Sequence, residues 1–191
     1  MPEAVKRYCT TRSLMDSAGV HNEIFQSYLQ SLVKYNQRAY IDSLDHLMRV
    51  LPSHVGSQIK YSRLDRERRI EKTKKSLQIL ERALVFNFIK SSETSGLPLN
   101  VTASSKVMKA LFLDIGLMQY HCGFNPLDVL QSSDLPNVFQ GALAEQFVGQ
   151  ELLAAGGSET FKFFYWSRAK KSSSTEVDYL YVKGVRFYPL K

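Results

Sequence analysis

Residues 139–155, FQGALAEQFVGQELLAA, followed by FKFFYW at 161–166, EVDYLYV at 176–182 and VRFYP at 185–189, decide how this chain is read. The first segment has helical composition and length, and the three that follow are short aromatic or β-branched runs that read as strands. Turn signals separate them at Gly156-Gly157, at Ser172 to Ser174 and at Gly184. Projected at about 100° per residue, Glu145 has Gly141, Val148, Gly149 and Leu152 as its neighbours around the helix. Its carboxylate therefore leaves from an apolar sector, where an ionised acid needs a cation, hydrogen bonds or a metal. In the second strand the alternation places Glu176 and Asp178 on one face, continued by Leu180 and Val182.

A helix with one acid, a strand with two acids and a hairpin partner ending in a lysine is the layout by which PD-(D/E)xK nucleases hold a divalent cation. Oxygen ligands from separate elements converge on the metal, and the lysine steadies the attacking water or the phosphate. Glu145, Glu176 and Asp178 are the metal candidates for Mg²⁺ or Mn²⁺, and Glu145, Asp178 and Lys191 the catalytic candidates. A buried Glu paired with a cation and a solvated strand end are the plain alternatives.

Five blocks carry a wider resemblance: Met1 to Val5, Lys109 to Leu117, Gly141 to Val148, Tyr165-Trp166 and Glu176 to Leu180. In order, they resemble the C-terminal part of a prokaryotic AAA+ superfamily of P-loop ATPases. The resemblance implies a missing ATPase domain, then a winged-helix-like region, then a domain of unknown function similar to PD-(D/E)xK nucleases. It matches Glu145 to the helix acid and Asp178 to the central strand acid. The family's last strand reads proline, aliphatic, glutamate, aliphatic, lysine. Here Pro189 and Leu190 are followed by Lys191, which falls at the glutamate position, and the motif lysine is absent. No G-x-x-x-x-G-K-[ST] loop occurs in the 191 residues, so ATP would belong to the missing domain alone.

The expected fold class is α+β: a mostly helical N-terminal half with a winged-helix-like element, then a restriction-endonuclease-like α/β module. The expected divisions are a helical linker at 1–40, a winged-helix-like domain at 41–103 and a truncated nuclease-like domain at 104–191. Residues 11–37 read as helical, with Gly19 a point where the helix would divide. Then come a helix capped by Ser43 and ending at Pro52, a short helix from Gly56 to Leu64, and a third from Arg68 to Leu84 that buries Ile70, Leu77, Leu80 and Leu84. A strand from Val85 to Lys90 and a turn at Ser95-Gly96 follow. Asp114 is expected to cap backbone rather than to catalyse.

Net charge is +7, and hydrophobic residues make up 44% of the chain, which argues against wholesale disorder. Cys9 and Cys122 have no metal-ligand spacing and fit a reducing, cytoplasmic setting. The sequence offers no signal-like start and no membrane-length apolar run. Between Lys60 and Lys75 eight cations face three acids. That concentration points to a polyanion, nucleic acid before membrane. Arg68, Lys72, Lys75 and Arg82 project within about 80° of one another on the third helix, joined by Lys60 and Arg63 before it. Arg168, Lys170 and Lys171 form a second, smaller cluster. With few groups suited to base edges, DNA binding is expected to be weakly sequence-specific. The expected function is a non-catalytic fragment that binds DNA or docks a partner, with a metal-dependent nuclease or an inactive remnant as alternatives. Other expected partners are the missing ATPase domain, or a second copy through the apolar face at residues 24–33.

Overall fold

The computed structural model of the chain describes residues 1–65, 67–92, 103–124, 137–156, 163–170, 173–183 and 186–190. It opens with an antiparallel helix pair, α1 (Pro2–Thr11) and α2 (Leu14–Tyr35). Arg12 makes the corner with φ 55°, and its N–H donates to the Tyr8 carbonyl at 2.7 Å. Ser13 caps α2 by accepting from the Asp16 N–H. The helix runs unbroken through Gly19, since one interior glycine costs only about 1 kcal/mol against the burial of Val20, Phe25 and Leu32. Ile24, Phe25, Tyr28, Leu29 and Leu32 all pack into the main core, and of the stripe from Ile24 to Val33 the outward member is Val33.

α3 (Arg38–Val50) continues into a single 3₁₀ turn, Leu51–His54. Ser43 is not its cap: the helix starts five residues earlier, and Ser43 is fully buried within it. The expected second helix is shorter than its sequence suggests. Ile59–Lys60 forms β1, paired with Met108 and Val107, which leaves α4 only Tyr61–Leu64. α5 (Ile70–Arg82) buries Thr73, Ser76, Leu77 and Leu80. Ile70 and Leu84 do not join them, being 43% and 73% exposed. Ile70 is the first helical residue, and Leu84 lies past the end in the left-handed conformation, φ 57°. The N–H groups of Leu84 and Val85 donate to the carbonyls of Glu81 and Leu80 at 3.0 and 3.1 Å. This is a Schellman closure in which leucine holds the place that glycine usually takes.

β2 (Phe86–Ser92) and β3 (Ala103–Phe112) pair antiparallel, from Phe86 opposite Phe112 to Ser92 opposite Ala103. The turn expected at Ser95-Gly96 lies outside the described residues. α6 (Ile115–His121) follows, with Asp114 as its cap: Oδ1 accepts from the Gly116 and Leu117 N–H groups at 2.8 and 3.2 Å. Then come α7 (Asn137–Gly156), β4 (Phe163–Lys170), β5 (Ser173–Lys183) and β6 (Arg186–Leu190).

All six strands form one mixed sheet in the order β1-β3-β2-β4-β5-β6. Neighbours run antiparallel except β2 and β4, which are parallel where Ser91 faces Tyr165. The fold is α+β. The helix, helix, helix, hairpin order is present, but β2 and β3 are interior strands rather than a free wing. The expected division at 103/104 falls at the first residue of β3, which pairs on both sides. Among the described residues no helix is long and apolar enough to cross a membrane.

Candidate functional site

β3 has both faces covered, and its alternation sorts its side chains between two cores. Met108, Ala110 and Phe112 enter the larger cluster with the N-terminal helices. Val107 and Leu111 face the other way, toward Ile89, Tyr165, Tyr179 and α7 residues Leu152 and Leu153. Lys109 stands between Val107 and Leu111 on that second face and is 2% exposed. A lysine so deep stays ionised only if acids reach it.

α7 brings the first acid. Gly149 lets the helix lie close to the sheet: a Cβ there would sit 2.5 Å from Leu111 Cδ1 and 2.6 Å from Tyr179 Oη. The buried Gln146 fixes the register by pairing its amide with one residue's backbone. Its Oε1 accepts from the Phe112 N–H at 2.9 Å, and its Nε2 donates to the Phe112 carbonyl at 2.7 Å. One turn on, Gln150 Oε1 accepts from the Ile115 N–H at 3.0 Å. Tyr179 Oη donates to the Glu145 carbonyl at 2.6 Å. So held, Glu145 Oε1 lies 2.8 Å from Lys109 Nζ.

β5 brings the other two. Glu176 Oε1 is 2.6 Å and Asp178 Oδ1 3.2 Å from the same ammonium. The Glu176 contact is an ion pair without hydrogen-bond geometry. The Tyr165 ring lies beneath, its centroid 5.4 Å from Nζ. Exposure of the side chains rises outward, from 12% at Glu145 to 32% at Asp178 and 33% at Glu176. Burial pulls the Lys109 pKa down, but the hydrogen bond to Glu145 and the close negative charges of Glu145 and Glu176 outweigh it and hold it above its ordinary value. Burial pushes the Glu145 pKa up, Lys109 opposes, and the charges of Asp178 and Glu176 add to the rise. Burial likewise lifts the Tyr179 and Tyr165 hydroxyls.

The three expected metal candidates thus come together, but around a lysine. Among the described residues no group of three or more His, Cys, Asp or Glu is arranged to hold a metal ion. One oxygen of each acid points at Nζ, so Mg²⁺ or Mn²⁺ does not fit this arrangement as it stands. Lys191, expected to supply the cation, lies outside the described residues. Lys109 was legible only as an odd cation in the apolar run Val107 to Leu113, and Gln146 and Gln150 only as amides four apart.

The basic candidates divide. Arg68 precedes α5 and pairs with the buried Asp65, whose Oδ1 also accepts from the Glu67 and Arg68 N–H groups. Burial pushes the Asp65 pKa up, but Arg68 and the backbone bonds win and hold it down. Arg68 is therefore tied to Asp65 and does not share the helix stripe. Lys60, Arg63, Lys75 and Arg82 are exposed and Lys72 is half-buried. Lys74 lies over the Tyr61 ring at 5.2 Å. Arg168 and Lys170 fall on β4 opposite Thr175 and Ser173, and Lys171 lies outside the described residues.

Fold and site together define an α+β protein whose mixed sheet carries one lysine ringed by three carboxylates beneath a helix. A family model described as a domain of unknown function, DUF8612, matches residues 1–128, and the chain belongs to that family. A second model, again a domain of unknown function, DUF4143, matches residues 140–191. The cluster is built across both matches: Lys109 lies in the first, and Glu145, Glu176 and Asp178 in the second. No curated protein and no solved structure matches the chain.

Proposed function

We propose that this chain is a non-catalytic C-terminal module of an AAA+ ATPase that binds DNA through phosphate contacts. The observation that carries the non-catalytic reading is Lys109 Nζ at 2.6–3.2 Å from the three carboxylates. A metal would have to displace a deeply buried ammonium whose proton is held tightly by its neighbours. The segment match at residues 140–191 supports the ATPase association, because that domain is commonly found in AAA-ATPase-associated proteins.

The DNA reading is supported by the exposed cations of β1, α4 and α5. Lys60, Arg63, Lys75 and Arg82 have open paths to a phosphate backbone. Such contacts fix position without reading sequence.

Fluorescence anisotropy with labelled duplex DNA at several salt concentrations tests this. Affinity should fall with salt by a log–log slope of roughly −0.9 per phosphate contact. Replacing Lys75 and Arg82 with Ala should flatten the slope by about one per cation removed. Binding that ignores salt or the substitutions would refute the phosphate surface, and Mn²⁺-dependent cleavage of the duplex would refute the non-catalytic reading.

A further inference from the structure

A cleft of about 470 Å³ opens beside the cluster, lined by Val55, Ser57, Ala142, Val148 and Leu190 together with Glu145 and Asp178. Each of these acids gives one oxygen to Lys109, and among the described residues the second oxygen accepts no hydrogen bond. Glu145 Oε2 is on the side of the Gly56 loop, 3.4 Å from where a Cβ on that glycine would lie. With all groups ionised, three carboxylates against one ammonium leave an excess of two negative charges. The rise in the Glu145 pKa has the same origin in part.

The ligand chemistry follows from two independent properties of the cleft. Its two acids call for a cation that donates hydrogen bonds to their second carboxylate oxygens. Beyond the two acids its side-chain oxygens are the hydroxyls of Ser57 and Tyr179, the latter donating to the Glu145 carbonyl, so a divalent ion would have to keep most of its water. An ammonium on a methylene stem satisfies both, with the head on the acids and the stem along the walls. A volume of this size is ordinary for a small-molecule site. We infer that this cleft binds an aliphatic diamine or polyamine, anchored at Glu145 and Asp178. The site does not depend on the DNA reading, because none of Lys60, Arg63, Lys75 and Arg82 lines the cleft.

Isothermal titration of the full chain, free of nucleic acid, with putrescine at low ionic strength is the test. Saturable binding at one site is expected, with no binding of the uncharged butanediol and none of Mn²⁺. Asp178→Asn should weaken it about tenfold, the size of one lost charge-assisted hydrogen bond. Ala144→Leu should weaken it at least as much by filling the cleft from an exposed helix position. That second variant leaves the cluster intact, so it remains informative if Asp178→Asn does not fold. Absence of putrescine binding, unchanged affinity in Ala144→Leu, or one-site binding of Mn²⁺ that excludes putrescine would each overturn the proposal.

Discussion

Replacing Lys109 with Met removes the ammonium that faces Glu145, Glu176 and Asp178 while keeping most of the side chain's volume. Breaking a buried ion pair from one side costs about 3–5 kcal/mol. Two of the acids are a third exposed and will recover some hydration, so the lower end, about 3 kcal/mol, is expected at neutral pH. In a chain of this size that lowers Tm by about 6–12 °C. The loss has a distinctive pH dependence. Without the lysine, burial and the charges of Asp178 and Glu176 are left unopposed in raising the Glu145 carboxyl above its unfolded value, so the folded state favours its protonated form. The deficit is then full at neutral pH and shrinks as pH falls through the raised value toward the ordinary carboxylate range. In the parent chain Lys109 is raised, so its contribution is intact throughout that range and is lost only at strongly alkaline pH. Urea denaturation of both proteins between about pH 5 and about pH 8 measures the difference. A variant as stable as the parent at pH 8, or one whose deficit does not shrink on acidification, would refute the electrostatic account.

Leu84→Gly should stabilise the chain by about 1 kcal/mol, because glycine takes the left-handed position freely and the lost side chain is mostly in solvent; a lower urea midpoint would contradict this. Gln146→Leu strips both partners from the Phe112 backbone and should cost roughly 2–4 kcal/mol, visible as faster amide exchange at Phe112. His121 is held at a pKa of about 4 by burial, with a smaller push from Arg49. Its neutral form favours the fold, so stability should fall as pH drops below about 6.5 and keep falling toward 4. His121→Phe should remove that part of the acid slope, and an unchanged slope would exclude His121 as its source.

What the sequence revealed depended on the range of the interaction. Asp114 was readable because the N–H groups that donate to it are two and three residues away. The helices over α2, α5 and α7 followed from apolar period and turn residues. Glu145, Glu176 and Asp178 were singled out together because a resemblance supplied their spatial relation. Lys109 was not, since its partners lie 36 and 69 residues along the chain. Arg68 was misplaced because only the fold shows that Asp65 is buried and takes it. The hairpin read as a wing because β2 and β3 signal only each other, whereas their pairing with β1 and β4 is non-local. Ile70 and Leu84 fit the helical stripe by period, but a period says nothing about where a helix stops.

The parallel meeting of β2 and β4 at Ser91 and Tyr165 is also a seam in the folding sense. On one side β1, β3 and β2 join antiparallel, and on the other β4, β5 and β6 do the same. The β2–β3 pair and the β4, β5, β6 triplet can zip from local contacts, whereas closing the seam brings together residues 74 positions apart and bears the larger loop entropy. Lys109 sits on one triplet and Glu176 and Asp178 on the other, so their attraction spans the seam like a rivet. Transient opening of the native protein should begin there, with exchange at the Ser91 and Tyr165 amides outpacing that within either triplet and quickening further once the lysine is removed.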